Sequence, residues 1–194
     1  MATAERTGVR ERLSEIDRRL DPKVGKSLAV DELNALFRGG IAPEPRPDGF
    51  LSGRLITVSV GAPVDGFVRR VAGMWMPWLG KSFDRSAESG INVLTKSASV
   101  PMRGLWPSYE PVRELPDRIE VFPFHTRVGP GAVDSDVDVL KIDYDFEANP
   151  DFLIRRILDE LVQIGDGVYL GKILYRYRGS FRPIGFFMLE EKLH

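Results

Sequence analysis

Between Leu158 and Lys192 the chain offers strand-forming residues almost without a break, and this constrains the fold more than any other stretch. Val168 to Tyr177 is rich in β-branched and aromatic residues, Arg178-Gly179-Ser180 supplies a turn, and Pro183 to Leu189 resumes the pattern. Too much of this is apolar for a sheet wetted on one face. The sheet must curve around a core, and its interior is the natural place for a ligand. Tyr169, Ile173, Tyr175 and Tyr177 share one strand face with Gly171, while Lys172, Arg176 and Arg178 share the other. The tyrosines either line a cavity and turn their hydroxyls to a ligand, or simply fill a barrel. Phe187, on the next strand, joins them as a candidate wall residue.

Upstream, Val9, Leu13, Ile16 and Leu20 predict an amphipathic helix over 4–20, stopped by Asp21-Pro22. Ser27 is placed to cap a second helix that Gly39-Gly40 closes. The proline-rich run from Ala42 to Gly49 then reads as a stiff connector. The expected organisation is a helical preface over 1–48 and a β unit over 49–194. That unit starts with a strand from Phe50 to Val60, followed by a helix over 63–76, opened by Pro63, that would act as a plug or lid. Ile91 to Ala98 predicts a strand, and Pro101, Pro107, Pro111 and Pro116 predict a long loop over 99–116. Residues 117–127 and 136–146 read as paired strands. In the second, Leu140, Ile142, Tyr144 and Phe146 alternate with charged residues, and Asn149-Pro150 is expected to cap a short helix. The fold class is therefore mainly β: an antiparallel β-barrel or strongly curved sheet with N-terminal helices and a few short inserted ones.

At 194 residues the chain fits one domain, and a formal charge of -1 shows no basic excess for nucleic acid. It has no cysteine, which removes disulfides, thiolate catalysis and zinc–cysteine sites. No stretch reads as a signal peptide or a membrane span, so the expectation is a cytoplasmic protein without stable membrane insertion.

Gly49-Phe50-Leu51-Ser52-Gly53-Arg54-Leu55 opens the first strand, Trp78-Leu79-Gly80-Lys81-Ser82-Phe83 follows, and Asn92-Val93-Leu94 lies in the next strand. This pattern resembles the small bacterial domains named for a Gly-x-Trp-x-Gly signature, which continue with a Trp-x-Gly-Lys-x-Phe segment. Leu51 or Phe50 stands where the signature has its tryptophan. The resemblance covers residues 49–192 and implies a calycin-like barrel, the group of lipocalins, fatty-acid-binding proteins and nitrobindins.

Arg54 faces inward if Phe50, Ile56 and Val58 do, and a buried guanidinium would then need a carboxylate or an anionic ligand. The opposite register buries Leu51 and Leu55 and leaves Arg54 in solvent. Trp75, Trp78 and Trp106, with Met74, Met76 and Met102, suit either an irregular pocket or plain core. Lys81, Phe124 and Tyr144 complete the candidate ligand contacts. Asp134 to Asp138 starts like a calcium loop, but Val139 and Asp145 stand where glycine and glutamate are required, so it reads as a solvated strand face. His125, beside Phe122-Pro123-Phe124, is the candidate haem ligand or general base; His194 is the other histidine. No Gly-x-Ser-x-Gly or phosphate-binding glycine fingerprint occurs. Asp159-Glu160 point to opposite faces of a strand and make no dyad.

The expected function is non-enzymatic binding of a hydrophobic or amphipathic small molecule of the lipid or fatty-acid class, with no cofactor. Arg54, Tyr175, Tyr177 or Arg176 would meet its polar head, and 63–76 with 99–116 would gate access. An isomerase, cyclase or decarboxylase using the same cavity is the enzymatic alternative, and a haem barrel centred on His125 a third. Self-association is left open.

Overall fold

The computed structural model describes residues 7–9, 11–15, 26–58, 77–151 and 153–192. Its strands are β1 (Gly49–Val58), β2 (Trp78–Asp84), β3 (Ser89–Thr95), β4 (Arg113–Glu114), β5 (Arg118–Pro130), β6 (Asp138–Asp143), β7 (Ile157–Gly165), β8 (Val168–Tyr177) and β9 (Ser180–Glu191). All but β4 form a closed, antiparallel, up-and-down barrel of eight strands. Each strand of the ring pairs with its neighbour in sequence, β3 reaches β5 past β4, and β9 closes the ring on β1. Closure leaves the ring without an exposed edge. The curved-sheet expectation resolves as a barrel.

The long C-terminal apolar run follows from burial on both sides. Inside the barrel lie Tyr169, Ile173 and Tyr175 of β8 with Phe187 and Leu189 of β9. Gly171 belongs to the same face because a Cβ there would run into the Phe187 ring. Outside, Val168, Leu170, Phe186 and Met188 meet α1 (Lys26–Arg38). That helix presents Ala29, Leu33 and Phe37 at successive spacings of four, and all three are buried against the barrel wall. Burying Phe37 fully contributes roughly 1.5–3 kcal/mol. Residues 7–9 and 11–15 are helical, and Leu13 joins this outer core. The connector after α1 is tied down by Ile41, which exchanges two backbone hydrogen bonds with Gln163.

Some expected elements differ. The first part of the proline-rich 99–116 segment is a helix, α2 (Ser99–Leu105), not a loop. Pro101 falls in its first turn, where a missing N–H breaks no helical bond. The 91–98 strand stops at Thr95 and continues as a 3-10 turn over Lys96–Ala98. The strand expected over 136–146 narrows to β6, so Phe146 falls beyond it. Asn149 does not cap a helix. Its amide nitrogen donates to the carbonyls of Pro123 and Tyr144, and a 3-10 turn over Ile154–Arg156 leads into β7. The helix expected over 63–76, with Trp75, lies outside the described residues.

Strand direction gives the barrel two ends. At one lie the β2–β3, β5–β6 and β7–β8 turns; at the other lie α2, the 144–156 segment and the β8–β9 turn.

A charged centre and an apolar end cavity

Residues 78 and 81 of a regular strand face opposite ways. A bulge between Trp78 and Gly80 absorbs one residue, so Trp78 and Lys81 both turn into the barrel. Gly80 makes this possible with φ 145°, at a point where a Cβ would strike the Leu51 carbonyl oxygen. On β5 the register shifts opposite Ile91 and Asn92, with Phe122 at φ 52°. Ile119 and Val121 face inward before the shift, Phe122 and Phe124 after it.

These two irregularities assemble a polar centre within an apolar barrel. Lys81 and Asp159 are each 0% exposed, and Lys81 Nζ lies 3.0 Å from Asp159 Oδ2. The Nζ also donates to Asn92 Oδ1 at 3.0 Å and to the Tyr144 hydroxyl. Asn92 Nδ2 donates to the same hydroxyl at 3.2 Å and to the Phe122 carbonyl at 3.1 Å. With two donors already on its oxygen, Tyr144 gives its own proton to Asp159 Oδ2, 3.0 Å away. The rings of Tyr144, Phe187, Trp78 and Phe124 surround Nζ at 5.0, 5.1, 5.4 and 5.4 Å. Asp159 Oδ1 is buried with no hydrogen-bond partner among the described residues.

Burial pushes the Lys81 amine below its ordinary range, against the pull of the Asp159 charge. Burial likewise pushes the Asp159 carboxyl up, opposed by Lys81 and Tyr144. The Tyr144 phenol is held well above its usual value by burial and the neighbouring carboxylate. Burial therefore drives both partners of this pair, 3.0 Å apart, toward their neutral forms, and their mutual attraction opposes it.

Trp78 and Asn92 also form the inner wall of an apolar cavity at the α2 end of the barrel. Trp78 Nε1 donates to Asn92 Oδ1 at 3.2 Å, so both polar groups on this wall are engaged. Leu94, Met102, Trp106 and Phe122 supply the sides. The void admits the centre of a water-sized sphere over about 20 Å³, room for one small group. Trp106 separates it from an outer groove of about 420 Å³ that runs past Pro107, Tyr109 and Pro150. The Trp106 ring meets Phe122 edge-on, and Tyr109 stacks on the same Phe122 ring. Burial lifts the Tyr109 phenol to about 12, against its bond from the Phe122 N–H.

Of the residues singled out from sequence, Trp78, Lys81, Phe124, Tyr144 and Phe187 meet at the centre, and Trp106 stands at the cavity. Tyr175 and Tyr177 lie on the inward face toward the α2 end, while Tyr169 is at the opposite end and donates to Glu191 at 2.7 Å. Three placements are corrected. Arg54 sits on the outer face opposite Met188, because β1 turns Leu51 and Leu55 inward. His125 is exposed on the barrel exterior against Phe146, so it does not ligate a group held inside. Arg176, expected to meet a polar head, pairs outside with Asp145 at 3.2 Å. Asn92 and Asp159 were not anticipated as site residues. The signal in the sequence was a polar residue on the inward face of an apolar strand: Asp159 falls between Ile157 and Leu161.

Glu160 does point away from Asp159, into a second charged cluster outside the barrel. It accepts the Ala132 N–H at 2.6 Å and lies 3.9 Å from Lys141. Lys172, 1% exposed, meets Asp134 at 2.5 Å and lies 4.3 Å from the Phe37 ring. Arg38 joins Asp134 at 2.8 Å and also pairs with Asp136. The 134–136 run is thus a loop that anchors α1, in place of the expected solvated strand face.

Fold and site together define a closed up-and-down β-barrel with a charge-paired interior and an apolar cavity at one end. No family model matches the chain, and no curated protein matches it. A solved structure of a protein from Thermomonospora curvata is similar with a TM-score of 0.48 and 14% identity, covering 92% of this chain and 99% of that one. Among the described residues no helix is long and apolar enough to cross a membrane.

Proposed function

We propose that the barrel binds a hydrophobic or amphipathic small molecule at its α2 end, with Trp106 as the movable partition. The observation that carries this is the position of Trp106, which lines both the buried void and the outer groove. Rotation of one side chain joins them into a site deep enough for a short apolar tail. Met102 and Leu105 of the seven-residue α2 flank the same partition, so the helix supplies the gate. The tail then reaches Trp78 and Asn92, and a polar end stays near Tyr109 or the groove. A lipid-class ligand is the natural extension. The Trp78–Phe83 segment supplies both Trp78 to the cavity and Lys81 to the centre, which ties the two together.

The test is a titration of tryptophan fluorescence with straight-chain alcohols. Each added methylene should tighten binding by about 0.8 kcal/mol until the site is full. Ala98→Leu, which places three carbons in the void, should abolish binding and leave the barrel folded. Unchanged binding in that variant would refute the site.

A further inference from the structure

We propose that Lys81 is the attachment point for a neutral carbonyl compound, an aldehyde or ketone, held inside the barrel as an imine. This rests on the binding reading above and names the ligand class for the same site.

The first argument is charge. The centre holds one cation and one anion, Lys81 and Asp159, at 3.0 Å. A ligand carboxylate brought to it would add an uncompensated negative charge in an apolar interior, which is costly. A carbonyl adds none. The second is the placement of the amine. It is caged by four rings, and two residues that touch it also line the cavity: the Trp78 ring and the Asn92 amide, which bonds Nζ. A swing of Asn92 brings a carbonyl to Nζ and to the Tyr144 hydroxyl together. The third is the spare acceptor, Asp159 Oδ1, buried without a partner among the described residues. Its free lone pairs can accept a proton in transit.

The chemistry closes with these groups alone. Asp159 takes a proton from the Lys81 ammonium, and the freed lone pair attacks the carbonyl carbon. A C–N bond forms, and the carbonyl π pair moves to oxygen. A nitrogen proton passes to that oxygen through Tyr144, giving the neutral carbinolamine. Asp159 then returns its proton to the hydroxyl, the C–O bond breaks, and water leaves as nitrogen forms the C=N bond. One carbonyl and one ammonium yield one protonated imine and one water, with Asp159 as counter-ion and nothing oxidised or reduced. Burial, which already lowers the Lys81 amine, favours the first step.

The experiment is reductive trapping of the intact protein with hexanal and cyanoborohydride, followed by peptide mapping, with hexanol binding measured in parallel. The expected result is a single hexyl adduct on Lys81 ahead of every exposed lysine, lost in Lys81→Arg and blocked by Ala98→Leu. The mapping on the unmodified chain decides the matter even if a variant fails to fold. Adducts spread over surface lysines with Lys81 untouched, while hexanol still binds, would overturn the imine and leave the binding site standing. Failure of both compounds to bind would overturn the binding reading itself.

Discussion

Replacing Lys81 with methionine should convert a pH-independent barrel core into a pH-sensitive one. In the native protein, amine and carboxyl share one proton whether they sit as an ion pair or as a neutral pair. The unfolded chain also carries one proton on these two groups between about pH 5 and 9. Folding therefore releases or binds none, and the pair adds no slope to stability in that window. In Lys81→Met, Asp159 remains 0% exposed and keeps only the Tyr144 hydrogen bond at 3.0 Å. Its folded form is then the neutral acid, with a pKa raised above the unfolded value. Stability is lost as pH rises past the unfolded pKa near 3.9, at about 1.4 kcal/mol per unit. The penalty relative to the parent therefore grows with pH above about 4, toward the roughly 3–5 kcal/mol of a broken buried pair. Urea unfolding of both proteins at several pH values measures this directly. Lys81→Met/Asp159→Leu should be flat again. A parallel offset between parent and single variant, with no change of slope, would show that Asp159 is not held in a dry interior.

Gly80→Ala should cost more than about 3 kcal/mol, or prevent folding, because its φ of 145° and the Leu51 carbonyl leave a Cβ no room; a thermal scan close to the parent would contradict the bulge. Burial raises the Asp134 carboxyl, but hydrogen bonds from Lys172 and Arg38 outweigh this and hold it below its ordinary value. Its contribution is therefore present above about pH 4 and lost as pH falls below. Hydrogen exchange should show α1 amides losing protection in acid before those of β8, and equal protection down to the acid limit would count against the anchor. His125→Ala should change stability by less than about 0.5 kcal/mol and leave alcohol binding intact, since the ring is exposed. Loss of binding in that variant would reopen an interior role.

The strand content and curvature were legible because both faces are buried along most of β8 and over 185–189 of β9, which puts apolar residues at successive positions rather than every second one. The interior tyrosines and Tyr144 followed from simple alternation. The centre did not, because two bulges reverse the alternation where it matters. Period-two counting sets Trp78 against Lys81, and Val121 against Phe122 and Phe124, whereas the folded chain gathers all five on the inward side. Arg54 illustrates the same limit from the other direction: both registers of β1 carried apolar residues, and only pairing with β9 decides between them. The charges on the outer wall were read as solvated because the covering helix comes from a separate part of the sequence.

The seam between β1 and β9 sets the order in which this molecule can be completed. Leu51 pairs with Glu191 and Val58 with Gly185, so the first strand of the ring waits for the last. During synthesis β1 has β2 on one side and an open edge on the other until β9 has emerged. The interior that encloses Lys81 stays wet for that interval, and its charges stay hydrated. Closure of one late seam, built from contacts between distant parts of the chain, then dries the centre in a single step, which favours slow, all-or-none folding.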